Sequence, residues 1–195
     1  MGSGSKPVLN ALPDWAAPFA GGFLAAFVLF AILYSSGFFI PRYQAQAITT
    51  PVFSPGSEPE IISLIESSQS SLDLEMYTFS NMRIADAIVA LAARGVPCRV
   101  ILEARVDGSS NLKMAEYLSS HGVEVRFASG QYALTHSKMM IIDGKTVLVG
   151  SINFSNNAVL KNREAAVVLE GAIANDYESV FEKDWQDAVS YAPNN

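Results

Sequence analysis

Residues 136–153 read HSKMMIIDGKTVLVGSIN, and this stretch decides the fold expected around it. The apolar run 139–142 and the β-branched run 146–149 are each typical of a buried strand. The Asp143-Gly144 pair between the two runs is typical of a tight turn that reverses the chain. The sequence therefore predicts a β-hairpin, with antiparallel partner strands on either side of the turn.

Polar side chains stand at the open end of this predicted hairpin. His136 and Lys138 are two residues apart, so both point to the same face of the outgoing strand. Ser151 and Asn153, again two apart, follow the return strand and come close to the place where the outgoing strand begins. The hairpin thus gathers an imidazole, an ammonium, a hydroxyl and a carboxamide. Together they indicate a phosphate site that contains a nucleophile.

Strands and helices alternate on both sides of the hairpin. Ser57 and Glu60 have the spacing of a capping box for a short helix, Asn81 is expected to cap a second helix, and Gly95 to end it. Further strands are predicted at 72–77, 98–102, 123–127 and 165–169, and further helices at 111–120 and around 173–185. This alternation predicts an α/β domain, with a mixed β-sheet flanked by helices.

The spacing H-x-K-x4-D-x6-G-S-x-N resembles the HKD motif of the phospholipase D superfamily at every defined position. The segment 161–164, which runs into the strand at 165–169, resembles the N-x-E segment that follows the motif in that family. Upstream, residues 72–79 and 93–102 resemble its first strand and its RGV-x-V-R-V segment. The resemblance extends over about residues 57–189, and it implies a phospholipase D-like fold.

The resemblance also implies roles for the site residues. His136 is expected to attack phosphorus and form a phosphohistidine, with Glu164 holding the imidazole in the required tautomer. Lys138 and Asn153 are expected to bind the non-bridging phosphate oxygens, and Ser151 to add a further donor.

Two points of this scheme stay open. Asp143 either orients Lys138 as part of the catalytic set or simply makes the turn. The only other histidine, His121, lies at a helix end and lacks the motif spacing. Because the chain contains a single motif, the resemblance implies a homodimer with a shared active site. One copy of His136 acts there as nucleophile and the other as general acid.

The composition argues against a bound metal or cofactor. The chain has two histidines and the single cysteine Cys98, with no H-E-x-x-H segment and no cysteine pair that would hold zinc. We therefore expect a metal-independent phosphodiesterase that needs no cofactor.

An uncharged apolar run occupies residues 18–40 and is long enough to cross a bilayer as a helix. The sequence thus predicts a tail at 1–17, a transmembrane anchor at 18–40, a linker at 41–56 and a catalytic domain at 57–195. Ala45-Gln46-Ala47 leaves a cleaved signal peptide as the alternative. Basic residues stand on both sides of the run, so the membrane orientation stays open, with a slight preference for an extracytoplasmic domain.

The charge bears on the substrate. Residues 48–195 carry 11 of the 13 basic and 18 of the 19 acidic side chains, a formal charge of −7 that is unusual for a protein that binds a polyanion. The short single-motif architecture nevertheless resembles the small endonucleases of the superfamily and its membrane-anchored member, and this resemblance implies a membrane-anchored nuclease. A phospholipid hydrolase is the alternative, and an inactive scaffold is a third hypothesis. Residues 128–135 and 154–162 are expected to line the cleft, where Tyr132 or Phe154 either stacks a base or is packed.

Overall fold

The computed structural model describes residues 26–32, 48–106 and 110–192, which belong to two units at 1–44 and 45–195. In the first unit, residues 26–32 are helical. The rest of the predicted anchor at 18–40, and the whole of the tail at 1–17, lie outside the described residues. Among the residues that are described, no helix has the length and apolar character needed to span a membrane.

The described part of the second unit consists of one sheet and the helices around it. Its strands are β1 (Ile48–Ser54), β2 (Leu72–Met76), β3 (Cys98–Leu102), β4 (Glu124–Phe127), β5 (Lys138–Ile142), β6 (Thr146–Gly150), β7 (Glu164–Glu170) and β8 (Val189–Ser190). Its helices are α1 (Glu58–Ser67), α2 (Met82–Ala93), α3 (Ser110–Ser120), α4 (Asn156–Leu160) and α5 (Ala174–Asp187).

The strands form a mixed eight-stranded sheet in the order β1-β7-β6-β5-β2-β3-β4-β8. Strands β2, β3 and β4 are parallel to one another, whereas β5 lies antiparallel to both β2 and β6. Because β5 is central, each of its faces is covered. Met140 and Ile142 pack into the larger core, which also contains side chains of α1, α2 and α3. Met139 and Ile141 pack on the opposite face with α5. The predicted α/β fold is confirmed.

The predicted hairpin is present as β5 and β6, with Met139 opposite Val149 and Ile142 opposite Thr146. The turn residues Asp143 and Gly144 both have positive φ, 55° and 62°. This conformation matches the right-handed twist of the flanking strands and is tolerated by Asp and Gly.

The predicted linker at 41–56 is wrong where it covers β1. Residues Ile48–Ser54 pair along their whole length with β7, and Val52 and Ser54 are fully buried. The sequence signal for a linker is the group of Pro41, Pro51, Pro55 and Gly56, and Pro51 lies within β1. Since β1 is an edge strand, it tolerates a residue that lacks one backbone donor.

The predicted capping box at Ser57 is also wrong. The Ser57 hydroxyl is buried and has no hydrogen-bond partner within the described residues. Glu58 is buried instead, and its carboxylate accepts hydrogen bonds from Asn81 and Arg83. The predicted cap at Asn81 is confirmed, because its side chain accepts from the backbone N–H of Ile84 at 2.9 Å.

Candidate active site

The topology brings the motif residues to one edge of the sheet. His136 lies two residues before the start of β5, and the antiparallel neighbours of β5 place the end of β2 and the end of β6 beside it. Strand β7 runs antiparallel to β6 and begins at the same edge, with Glu164. Residues that are far apart in sequence therefore meet where four strands start or end.

His136 and Lys138 are in direct contact at this edge. The Lys138 Nζ lies 3.0 Å from the imidazole Nδ1 and donates to the His136 carbonyl at 2.6 Å. His136 is exposed, whereas Lys138 is only 7% exposed. An ammonium can only donate, so its contact with Nδ1 suits a neutral imidazole whose Nδ1 lone pair accepts from Lys138. That is the form that can attack phosphorus.

Burial lowers the pKa of Lys138, and the negative charge of Glu164 partly opposes this effect. The Glu164 carboxylate accepts a hydrogen bond from the Asn162 side chain at 3.0 Å, and its backbone N–H donates to the buried Ser54 hydroxyl. Glu164 is thus held at the site edge by β1. Glu164 interacts with the motif electrostatically, through the attraction between its carboxylate and the Lys138 ammonium.

Asn153 and Ser151 are fixed by neighbouring backbone. The Asn153 Oδ1 accepts from the N–H of Thr78 at 3.1 Å, just beyond β2. The Ser151 hydroxyl lies between the N–H and the carbonyl of Ala165, at 3.2 and 3.3 Å. Gly150 allows β6 to approach β7 this closely, because a Cβ on it would lie 2.4 Å from the Ala165 carbonyl oxygen. Asn153 is thus fixed through its Oδ1 to the segment after β2, whereas Ser151 is bound to the backbone of β7.

Asp143 lies at the opposite end of β5. At about 3.3 Å per residue, five residues along a strand place it roughly 16 Å from Lys138. Its carboxylate accepts from the backbone N–H groups of Gln69, Ser70 and Ser71 and from the hydroxyls of Ser68 and Ser70. Burial raises the pKa of Asp143, but these hydrogen bonds outweigh it and hold the pKa well below its ordinary value. The structure favours the structural alternative for Asp143.

A buried carboxylate fixes the segment that leads into His136. Glu103, which is 1% exposed, accepts from the N–H of Thr135 at 2.8 Å and from the guanidinium of Arg105 at 2.6 and 2.7 Å. Arg105 also donates to the carbonyls of Ser129 and Tyr132. Burial alone would raise the pKa of Glu103. The hydrogen bonds from Arg105 and Thr135 together have a larger, opposite effect, so the pKa lies below its ordinary value. The loop 128–135 is therefore held by Arg105 at Ser129 and Tyr132 and by Glu103 at Thr135.

A second buried glutamate lies beneath the motif. Glu75 in β2 is 1% exposed, and its Oε2 has no hydrogen-bond partner within the described part of the chain. Burial raises its pKa to about 7; the Ser137 hydroxyl opposes this shift, and Asp184 of α5 adds to it. A carboxyl group with a pKa near 7 thus contacts Ser137, the residue between His136 and Lys138.

A cavity of about 380 Å³ opens beside His136. It is lined by the motif strand, by Val149 and Gly150 of β6, and by Asp176, Tyr177 and Val180 of α5. Val180 is 54% exposed, so the cavity communicates with solvent along an apolar wall.

The two aromatic residues predicted for the cleft differ in their placement. Phe154 is buried and packs edge-to-face on Phe79, so it is packed rather than available to a ligand. Tyr132 is 45% exposed in the loop 128–135. His121 lies at the end of α3, where its Nδ1 contacts the Tyr117 carbonyl at 2.7 Å. In the ranges 26–32, 48–106 and 110–192, no three His, Cys, Asp or Glu side chains are grouped as metal ligands.

Comparison with known proteins identifies the family. The family described as "Cardiolipin synthase, PLD-like domain" matches residues 61–185. The chain belongs to the phospholipase D superfamily. It is similar to the mitochondrial cardiolipin hydrolase of Xenopus tropicalis, with 34% identity over 134 residues that cover 67% of this chain and 63% of that protein.

Two further proteins of the superfamily are similar to this chain. The phospholipase D of Rickettsia conorii is 30% identical over 117 residues, covering 56% of this chain and 54% of the relative. The crystal structure of Nuc, a phospholipase D family member from Salmonella typhimurium, superposes with a TM-score of 0.71 at 27% identity. That match covers 76% of this chain and all of Nuc. The matched region thus spans 63% and 54% of the lengths of the two sequence relatives, and the whole of Nuc.

Sequence reasoning missed three residues that support this site. Tyr77, whose ring lies against both His136 and Lys138, was assigned only to a strand. Glu75 lies in the same predicted strand, 72–77, and Glu103 directly follows the predicted strand 98–102; neither has a role in the sequence analysis. For the glutamates a signal was present, because an acidic residue inside or just after an apolar strand is rarely buried without a reason.

Proposed function

We propose that this protein is a phosphodiesterase in which His136 forms a covalent bond to phosphorus. The observation that carries the proposal is the exposed imidazole in contact with the buried Lys138 ammonium. At the same edge of the sheet, the Asn153 Oδ1 binds the backbone of Thr78. A nucleophile on the open side, with a fixed positive charge behind it, suits attack on an anionic centre.

The proposed reaction has two steps. In the first, a ring nitrogen of His136 attacks phosphorus, an N–P bond forms, and the P–O bond to the leaving group breaks. The leaving oxygen takes a proton from a general acid. In the second, water attacks phosphorus, gives its proton to the same group, and releases His136. Lys138 and Asn153 bind the non-bridging oxygens in both steps, and Glu164 supports Lys138 electrostatically while its role in selecting the tautomer stays a prediction.

We assign the general acid to His136 of a second copy, in a homodimer with a shared site. His121 is an unsuitable acid because it is attached to the end of α3 through Tyr117. Lys138 supplies the positive charge that a metal would otherwise provide, so we expect hydrolysis to continue in EDTA. Loss of activity on chelation, restored by a divalent cation, would contradict this assignment.

The test of the chemistry compares the two histidines of the full chain. With bis-p-nitrophenyl phosphate, His136→Ala should abolish hydrolysis while circular dichroism shows an unchanged fold. His121→Ala is the matched control and should retain activity. Trapped enzyme should carry the phosphoryl group on His136. Absence of hydrolysis in the unmodified protein would leave the inactive scaffold as the correct hypothesis.

Subunit mixing tests the shared site. When unmodified and His136→Ala chains are co-expressed in equal amounts, random pairing leaves about half of the unmodified chains in dimers with two histidines. Activity per unmodified chain should therefore fall to about half, since each site needs both copies. If each subunit held a complete site, this ratio would not change.

For the substrate we propose nucleic acid first. The exposed Tyr132 can stack a base, and Lys161 and Arg163 are exposed cations on the segment that leads into β7. A phospholipid is the second candidate, because the cavity beside His136 has an apolar wall and the domain is acidic. The names of two relatives, cardiolipin hydrolase and phospholipase D, also favour a phospholipid.

Two variants distinguish these substrates. Tyr132→Ala should reduce cleavage of single-stranded DNA or RNA and leave phospholipid vesicles unaffected, if nucleic acid is the substrate. Val180→Asp places a charge on the apolar wall and should reduce hydrolysis of phosphatidylcholine or cardiolipin vesicles, if a lipid is the substrate. Each protein is assayed on all substrates beside bis-p-nitrophenyl phosphate, which reports on the chemistry alone.

We also propose that residues 18–40 anchor the protein in a membrane, because this run carries no charged residue. Full-length protein should then sediment with membranes and resist extraction at alkaline pH. Release of a shortened chain that begins near residue 48 would instead support the signal-peptide alternative.

A further inference from the structure

We propose that Tyr77 is the positioning residue that holds His136 and Lys138 in their reactive arrangement. Its ring lies against both side chains at once: the ring centroids of Tyr77 and His136 are 4.2 Å apart at a tilt of 48°, and the Lys138 Nζ lies 4.7 Å from the Tyr77 centroid. The inference rests on the proposed function, and it concerns how the exposed imidazole keeps one orientation.

His136 needs such a support because of where it stands. It lies on the solvent side of the sheet edge, just outside β5, so the strand ladder does not fix its side chain. An exposed imidazole can rotate about two torsions, and only some orientations direct a nitrogen at phosphorus. A ring packed against one face of the imidazole removes most of those alternatives.

Tyr77 is itself rigidly held. Its backbone N–H donates to the Ser137 carbonyl at 2.9 Å, which extends the pairing of β2 with β5 by one residue. Its carbonyl accepts from the Asn111 side chain at 2.7 Å, and Asn111 also binds Phe79 and Glu103 and is 2% exposed. The adjacent Thr78 binds Asn153. The ring therefore stands on the same rigid corner as the groups that it aligns.

The electrostatics of the ring point to the same role. The face of an aromatic ring is negative and attracts a cation, and the Lys138 ammonium lies within the distance at which this attraction operates. This contact holds the ammonium beside the imidazole without a second carboxylate, which would compete for it with the substrate phosphate. The ring thus contacts both groups and orients them through its face.

The test compares ring, shape and charge at position 77 of the full chain. Tyr77→Phe keeps the ring face and should retain kcat within about twofold, whereas Tyr77→Leu should lower kcat about 10- to 30-fold with KM nearly unchanged. Pentafluorophenylalanine at this position keeps the shape but reverses the ring quadrupole. It should fold like Tyr77→Phe and still lower kcat, which preserves the test if the Leu variant is unstable.

A readout that does not depend on activity uses the two histidines. In proton NMR, Tyr77→Leu should move the His136 ring resonances and leave those of His121 in place. The matched control is Tyr117→Leu, because Tyr117 packs on His121 at 4.6 Å with a similar tilt of 45°. It should move only His121 and leave kcat unchanged.

The outcomes separate the two proposals. If the unmodified protein does not hydrolyse any phosphodiester, the proposed function fails, while a selective His136 shift would still show the positioning contact. If Tyr77→Leu folds and keeps its full kcat, or if the His136 resonances do not move, the positioning role is refuted. A change confined to KM would assign Tyr77 to substrate binding and would also overturn the proposal.

Discussion

Replacing Glu75 by glutamine should change how the stability of this protein depends on pH. The side chain lies in the central strand β2, is 1% exposed, and leaves one carboxylate oxygen without a hydrogen-bond partner in the described part of the chain. Burial raises its pKa from the ordinary value of 4.5 to about 7, with Ser137 lowering it and Asp184 raising it further. The folded protein therefore binds this proton more tightly than the unfolded chain does.

The sign and the size of the effect follow from that difference. Above pH 7 the folded state must keep a charged carboxylate in an apolar layer, whereas below 4.5 the group is protonated in both states. The free energy of unfolding should thus fall as the pH rises between these values and then level off. The rise of the Glu75 pKa from 4.5 to about 7 corresponds to about 3 kcal/mol. Glutamine keeps the shape, cannot ionise, and can donate to Asp184, so this loss should disappear.

Urea unfolding of Glu75→Gln and of the unmodified protein, measured between pH 4.5 and 8, tests the reasoning. The variant should gain about 3 kcal/mol relative to the unmodified protein across this range, with an unchanged m-value. Glu103→Gln is the matched control, because Glu103 is equally buried but is paired with Arg105. Its pKa is depressed, so the same substitution there should cost about 2 kcal/mol at pH 7. Parallel pH profiles for Glu75→Gln and the unmodified protein would refute the account.

Two further predictions concern the strands that carry the site. Gly150→Ala would bring a Cβ to 2.4 Å from the backbone of β7, and it should destabilise the protein by about 3 kcal/mol or more in urea unfolding. Gly130→Ala, where a Cβ meets nothing within 4 Å, is its control and should be neutral. Asp143→Asn keeps the turn but loses the charge bound by residues 68–71, so it should cost about 2 kcal/mol at pH 7 and progressively less below pH 4. Its kcat should be unchanged, and a large fall in kcat with normal stability would return Asp143 to the catalytic set.

The hairpin and most of the motif could be predicted because their signals are local. The Asp143-Gly144 turn fixes which residues of β5 and β6 face each other, and the period of two then places His136 and Lys138 on one face. The whole arrangement is contained in 18 residues of sequence, 136–153. For such a segment, turn chemistry and strand period are sufficient.

The remainder of the site depends on contacts between segments that are distant in sequence. Tyr77 contacts His136 only because β2 and β5 pair antiparallel, and Asn111, which binds the Tyr77 carbonyl, lies in α3. Neither pairing has a signal within its own segment. The same limit explains the error over β1: five of its seven residues are exposed, so its alternation is too weak to outweigh a proline.

The position of Asp143 explains what the spacing of the motif measures. The four residues between Lys138 and Asp143 are the remainder of β5 after Lys138, so the interval equals the length of that strand. Lys138 starts the strand at the reactive edge, and Asp143 closes it by binding the backbone of residues 69–71 at the far edge. A fixed interval keeps both ends in register with β2, which carries Glu75 and leads directly into Tyr77. Inserting or deleting one residue between them would turn Lys138 or Asp143 to the opposite face of the sheet, so the motif preserves the geometry of the site through the length of one strand.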